Sequence, residues 1–322
     1  MRAALYHRYG GPEVVSIAEV PSPVPKDGEV LVKVYCSTVN RTDTGFRSAR
    51  YFISRFFTGL LRPKRNHLGS EFAGEVVGLG RGVTLFRLGD RVFGYDEFSF
   101  GGNAEYKTIS ESGSIAIIPE GIDYLHAAAL TEGSHYALST IRAAGVGQNA
   151  KVMVYGATGA IGSAAVQLLK HLGAYVVAVA NTVNVELVRS LGADDVIDYQ
   201  TDDFTQSPHR FDFILDAVGK TSFPTCKALL TEKGVYISTE LGKNGQNLWL
   251  ALAGRFSSGK KVLFPIPTMG KEQTHYLRDL AAMGAFRPVI DRQYQLDDIV
   301  EAHRYAESGH KTGNVIVRIS DG

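Results

Sequence analysis

The amino-acid sequence predicts an α/β protein in which a β-rich region, drawn from both ends of the chain, accompanies a doubly wound parallel sheet drawn from its middle. Three observations carry that expectation. Residues 1–123 read as short strands broken by turns, residues 124–265 as strands alternating with helices, and residues 266–322 as a mixed tail that closes on a strand. Two domains are therefore expected, 1–123 with 266–322 and 124–265, in keeping with roughly 150 residues per domain in a chain of 322.

The strands of the first region are VVSIAEV, EVLVKVYCSTV, FAGEVVGLG and DRVFGY, separated by Pro21, Pro23, Pro25 and the turn at Asp90. In the middle region KVMVYG is a continuous apolar strand. Ile161, Ala164, Ala165, Leu168 and Leu172 then fall on one face of a helix, which Gly173 stops. YVVAVA is the next strand, and VELVRSLGADDVIDY repeats the unit as helix, Gly192 stop and strand. FDFILDAVG and GVYISTELG are two further strands. Near-continuous apolar strands separated by helices belong in a parallel sheet covered on both faces. In the tail, QLDDIVEAHRYAESG reads as a helix and NVIVRI as a strand expected to pack back on the first region.

Composition excludes several classes. With 44% apolar residues the chain can bury a sizeable core, and a formal charge of +1 gives no field that attracts nucleic acid or an anionic membrane. Cys36 and Cys226 are the only cysteines, too few for a disulfide framework or a four-cysteine zinc site. The N-terminal MRAALYHRYGGPEVV lacks an apolar core of signal-peptide length, and no window approaches about 18 continuous apolar residues. A cytoplasmic protein without nucleic-acid or membrane partners is expected.

The stretch VYGATGAIGSAAVQLLKHLGAYVVAVAN places Gly156, Gly159 and Gly162 between a strand and a helix, with a second strand in register behind them. A helix start carries unpaired N–H groups and the positive end of the dipole, and glycine lets a pyrophosphate come close to that backbone. Gly156 is expected to make the tight turn, Gly159 to face the phosphates and Gly162 to let helix and strand pack. Thr158, Ala160 and Ile161 complete the turn. The spacing is G-x-x-G-x-x-G instead of the commoner G-x-G-x-x-G. About 20 residues on, where an NAD site places an acidic residue on the ribose, the chain has Asn181. An uncharged residue does not repel a 2′-phosphate, so NADPH is favoured with NADH possible, and Asn181, Thr182 and Tyr199 are the polar candidates around it. Val218 and Gly219, which end FDFILDAVG, are candidates at the same cofactor edge.

Over nearly its whole length the chain resembles the medium-chain dehydrogenase/reductase superfamily, in its zinc-free quinone oxidoreductase (zeta-crystallin-like) group. The resemblance rests on VNRTDTGFRSARY, LGSEFAGEVVGLG, LGDRVFGY, GGNAEYKTI, YGATGAIGSAAVQLLKHLGA, LGADDVIDY, FDFILDAVG and ESGHKTGNVIV. It implies a GroES-like catalytic domain split around a Rossmann domain, usually as a homodimer, with the active site in the interdomain cleft. Zinc-dependent relatives carry a Cys near Asn40 and a His where this chain has Ser70, so no zinc is expected; His67 reads as a surface or packing residue. Without a metal, hydride transfer to a quinone or α,β-unsaturated carbonyl is the expected reaction, since the acceptor's own conjugation takes the charge.

The resemblance also implies site residues. Asn40 is placed near the nicotinamide or acceptor carbonyl, with a turn residue as the alternative, and Tyr51 at the pocket wall or as a proton donor, with an apolar-face aromatic as the alternative; Asp43 and Arg47 read as an ordinary loop pair. In AAALTEGSHYALSTI the chain departs from relatives, which usually carry Pro at Thr131 and Thr at Tyr136; Tyr136 is therefore a candidate pocket residue, and Glu132 and His135 are candidate acid/base groups. Lys311 and Asn314 occupy a segment that reaches the cofactor in similar proteins, with a solvated surface lysine as the alternative. RYFISRFFTGLLRPKRNH reads as a basic, aromatic exposed loop. A short-chain dehydrogenase is excluded, because no tyrosine is followed by lysine four residues later. A cofactor-binding protein without turnover is the alternative function.

Overall fold

Alternating side chains build the first sheet, as Glu29–Val39 illustrates: Val30, Val32 and Val34 are buried, while Leu31, Lys33 and Tyr35 between them are half-buried. In the computed structural model the described residues are 1–50, 54–254 and 258–320. They form two units, Met1–Glu132 with Met269–Gly322, and Gly133–Thr268.

The first unit begins with β1 (Arg2–Tyr6) and β2 (Val15–Glu19), paired antiparallel. β3 (Glu29–Val39) follows, and from Cys36 onward it is buried on both faces, so its polar Ser37 and Thr38 point into the unit. Asn40 then caps α1 (Arg41–Ser48) through a capping box with Asp43, and Ala49 ends the helix in the left-handed conformation. α2 (Ser54–Thr58) lies within the segment expected to be a loop. β4 (Glu71–Leu79), β5 (Arg91–Tyr95), β6 (Tyr106–Ser110) and β7 (Ile115–Ile117) complete this stretch of sheet. α3 (Tyr124–Ala128), capped by Asp123, leads to α4 (Glu132–Ala144).

The second unit is a parallel sheet of β8 (Lys151–Tyr155), β9 (Tyr175–Ala180), β10 (Asp195–Asp198), β11 (Phe211–Asp216), β12 (Leu230–Ser238) and β13 (Lys261–Val262). Between them run α5 (Ala160–His171), α6 (Val185–Ser190), α7 (Phe223–Cys226) and α8 (Gln246–Gly254). The strand order is β10-β9-β8-β11-β12-β13 with every pair parallel. The chain therefore reverses its winding between β8 and β11, the switch point at which such sheets open a crevice at their carboxyl ends. Met153, Val177, Ile214 and Tyr236 are among its core residues.

After α9 (Lys271–Ala282) and β14 (Ile290–Gln295), α10 (Ile299–Glu307) and β15 (Asn314–Arg318) return the chain to the first unit. There β15 pairs antiparallel with β3, Val315 facing Val39, and parallel with β14. Val30, Val32, Phe72, Val92, Val315 and Val317 share one core, each contributing roughly 1.5–3 kcal/mol by full burial.

Two expectations need correction. Asp43 and Arg47 are not a loop pair. Both are buried on α1, where Arg47 pairs with Glu307 of α10 and Asp43 is drawn into the capping box. The basic, aromatic segment contains a helix, α2, because Ser54–Thr58 can close a turn of its own; Leu60 and Leu61 after it are exposed. Among the described residues no helix is long and apolar enough to cross a membrane.

Candidate functional site

The β8–α5 turn stands at the switch point. Gly156 has φ +77°, a left-handed conformation that glycine adopts without strain, and a Cβ there would strike Val218 at 2.6 Å. A Cβ on Gly162 would lie 2.1 Å from the Gly156 carbonyl oxygen, so this glycine closes the turn on itself. Gly159 differs: it is the N-cap of α5, no side chain caps the helix, and a Cβ there would meet nothing nearer than 4.0 Å. The first-turn N–H groups of Ala160, Ile161 and Gly162 have no intrahelical acceptor. Open space in front of an uncapped helix start fits a pyrophosphate.

At the end of β9, Asn181 Oδ1 accepts from Asn184 Nδ2 at 2.6 Å. The Thr182 hydroxyl donates to Asp198, and Thr182 N–H donates to Gln200 at 3.1 Å. Tyr199 is 52% exposed, its ring available to a ligand, and its N–H binds the Ala180 carbonyl at 3.0 Å. Asp198, aligned with Ala180 across the β10–β9 pair, is a carboxylate beside this edge that the sequence pattern did not single out.

Asp216 organises the opposite side of the switch point. Buried at the end of β11, it accepts N–H groups of Val218 (3.2 Å), Gly219 (2.7 Å), Lys220 (3.3 Å) and Thr221 (3.2 Å). Tyr236 and Ser238 hydroxyls on the adjacent strand donate to it at 3.1 and 3.3 Å. One carboxylate thus shapes the loop holding Val218 and Gly219. Asp216 was also missed; an acidic residue three before a glycine at a strand end is its only sequence signal.

In the first unit the residues around Asn40 form a buried polar cluster. Asn40 Nδ2 donates to Ser70 Oγ at 2.8 Å and approaches Thr38 Oγ1 and Glu71 Oε2, both at 3.3 Å, while its Oδ1 accepts Asp43 N–H at 3.0 Å. Its amide is therefore engaged within the cluster. Ser70 N–H in turn donates to Asp43 Oδ1 at 3.0 Å. Glu71 is the hub: it accepts from Thr38 Oγ1 (2.6 Å), Asn40 Nδ2 (3.3 Å), Thr131 N (3.1 Å), Thr131 Oγ1 (2.7 Å) and Glu132 N (2.7 Å). Two of those donors are backbone N–H groups at the start of α4, where a carboxylate is favoured by the helix dipole. Thr131 supplies an N–H that a proline at this position would lack.

Glu132 stands beside this hub, and among the described residues its carboxyl accepts one hydrogen bond, from Thr42 Oγ1 at 3.2 Å. Burial and the neighbouring Glu71 push its carboxyl up to about 7, opposed by Lys311. Burial likewise pushes Asp43 up to about 8, with the Asn40 N–H bond opposing and Glu71 and Glu132 reinforcing the rise. Lys311 is half-buried, not a solvated lysine; its ammonium donates to Gly313 O at 2.7 Å, and burial pulls its pKa down against the attraction of Glu132. Asn314 is buried, its amide donating to Val289 O at 3.0 Å.

Of the remaining candidates, Tyr51 lies outside the described residues. His135 and Tyr136 are on α4, their rings 4.6 Å apart and inclined at 52°. His67 is half-buried and bridges to Leu5. Among the described residues no group of three or more His, Cys, Asp or Glu side chains is placed to hold a metal ion.

Comparison with known proteins adds the following. Residues 26–120 match the alcohol dehydrogenase GroES-like domain and residues 191–317 match the zinc-binding dehydrogenase domain. The chain is 30% identical to the chloroplast envelope quinone oxidoreductase homolog of Arabidopsis thaliana, over 98% of each chain. It is 29% identical to the NADPH-dependent alkenal/one oxidoreductase of the same plant, over 98% of this chain and 79% of that one. The structure of the quinone oxidoreductase from Coxiella burnetii superimposes with a TM-score of 0.88 over 99% of each chain, at 28% identity.

Proposed function

The chain belongs to the quinone oxidoreductase group of the medium-chain dehydrogenase/reductase superfamily, and on that premise we propose that it reduces quinones or α,β-unsaturated carbonyls with a reduced nicotinamide dinucleotide. The observation that carries the reading is the glycine turn at the switch point, with its uncapped α5 and open space before Gly159. Gly156, Thr158, Gly159, Ala160, Ile161 and Gly162 would hold the pyrophosphate, and Val218 and Gly219 would flank the cofactor under the control of Asp216. Bound, the nicotinamide supplies a hydride; the protein's task is to orient the acceptor and place a proton.

NADPH is the proposed form. An uncharged Asn181 supports it, and Tyr199 is exposed at the same edge. Asn40 is a positioning residue that holds Ser70 and Glu71, and Tyr51, Tyr136, Lys311 and Asn314 are proposed as further functional residues. Zinc independence is part of the proposal, supported by the donor set: Asn40 Nδ2 offers hydrogens, not a lone pair, and donates to Ser70. A homodimer is proposed from the family resemblance, and a cytoplasmic location from two free buried cysteines.

Steady-state oxidation of NADPH with a panel of quinones and alkenals tests the activity. Turnover that survives dialysis against a chelator is expected. No turnover with any acceptor, despite tight NADPH binding, would favour a non-catalytic binding protein, and stoichiometric zinc would overturn the metal-free reading.

A further inference from the structure

We propose that Glu132 is the proton source of the reduction and that the Thr42 hydroxyl relays its proton toward the acceptor, an inference that rests on the reductase reading above. The geometry separates two neighbouring carboxyl groups. Among the described residues Glu71 accepts five hydrogen bonds. Glu132 accepts one, from a hydroxyl that can both give and take a proton. Neighbouring carboxyl groups with such unequal sets of hydrogen-bond partners suit different chemical roles. Glu132 is 2% exposed and Thr42 8%, so the relay runs from the more to the less buried group.

The groups facing Glu132 come from several elements. Glu71 on β4 favours the neutral acid; Lys311, ahead of β15, and Arg41 on α1 favour the carboxylate left after proton release. Asp43 on α1 adds a further carboxyl to the cluster.

The step balances as follows. An enone receives a hydride from the reduced nicotinamide at its β-carbon; the C=C π bond breaks and its electron pair ends on the carbonyl oxygen. That oxygen takes the Thr42 hydroxyl proton, forming a new O–H bond, while Thr42 takes the proton of Glu132. The resulting enol returns to the ketone, and a quinone treated alike gives its hydroquinone. Water reprotonates Glu132 before the next turnover.

The test compares pH profiles of kcat for the whole enzyme. The wild type is expected to lose kcat with rising pH as Glu132 ionises, near pH 7. Glu132→Gln should lose about 100-fold in kcat, with KM for the acceptor little changed, and lose that alkaline limb. Thr42→Val should behave alike and Thr42→Ser should recover the activity, a rescue that packing alone does not predict. Lys311→Met should move the limb to higher pH. Apart from turnover, infrared titration without cofactor should show a protonated carboxyl band that titrates near pH 7 in the wild type and is lost in Glu132→Gln, while the band of Asp43, titrating near pH 8, remains.

An active wild type whose Glu132→Gln variant keeps both kcat and the alkaline limb overturns the proton-source proposal alone. Should Glu132→Gln fail to fold, equal rates for Thr42→Val and Thr42→Ser overturn it instead. A wild type inactive with every quinone and enone removes the reductase reading, and this proposal with it.

Discussion

Glu71 accepts the backbone N–H of Glu132 at 2.7 Å, so one buried carboxylate caps the helix on which a second buried carboxyl stands. This places the two groups against each other among the buried side chains of Thr38, Asn40, Thr42, Asp43, Ser70 and Thr131. It also makes Glu71 structural. Glu71→Ala would strand buried N–H and O–H donors from Thr38, Asn40, Thr131 and Glu132. A loss of roughly 3 kcal/mol or more is expected in urea unfolding; unchanged stability would refute the capping role.

The same cluster sets a pH dependence of stability. The folded-state values of Glu132 and Asp43 are raised, from 4.5 to about 7 and from 3.8 to about 8. Each group therefore binds more protons folded than unfolded between its two values, and stability falls as pH rises through that window. Glu132→Gln keeps a partner for Thr42 and removes the buried charge. It should stabilise the protein at pH 8, by up to roughly 3 kcal/mol, and have little effect at pH 4. Thermal melts at both pH values decide this; an equal shift at each would show that ionisation is not involved.

The glycines separate fold from cofactor. Gly159→Ala adds a Cβ to open space, so melting temperature without cofactor should barely move, while dinucleotide affinity should fall tenfold or more, about 1.4 kcal/mol. Gly162→Ala puts a Cβ 2.1 Å from a carbonyl oxygen and should destabilise the second unit itself. Calorimetric titration beside thermal melts tests both. Wild-type affinity in Gly159→Ala would show that the space before α5 holds no phosphate.

Cofactor selectivity should respond at the end of β9. Asn181→Asp introduces a carboxylate where a 2′-phosphate is proposed, and like charges about 4 Å apart repel by roughly 4 kcal/mol at an effective dielectric near 20. NADPH binding should weaken at least tenfold while NADH binding holds. Tighter binding of NADH than NADPH by the wild type would sink the NADPH assignment.

Much of the fold was written in local pattern. The alternation in Glu29–Val39, the helical spacing of Ile161, Ala164, Ala165 and Leu168, and Gly173 and Gly192 as stops all appear where periodicity and glycine geometry put them. These features depend on residues within a few positions of one another, so a sequence window contains them. The turn at Gly156–Gly162 was readable for the same reason, because the φ of +77° at Gly156 and the close approach at Gly162 are local demands.

The polar cluster was not readable in that way. Thr38, Asn40 and Thr42 come from one segment, Ser70 and Glu71 from another, Thr131 and Glu132 from a third, and Lys311, whose charge acts on Glu132, from the turn ahead of β15. Likewise Arg47 found its partner in Glu307, not in Asp43 four residues away on the same helix. By itself the sequence determined β2 to β5, β8 to β12 and β15, the helices α5, α6 and α10, the glycine turn and the family. The tertiary structure alone decided that, among the described residues, Glu71 accepts five hydrogen bonds and the Glu132 carboxyl one, because the donors and charges packed around a buried group arrive from segments far apart along the chain.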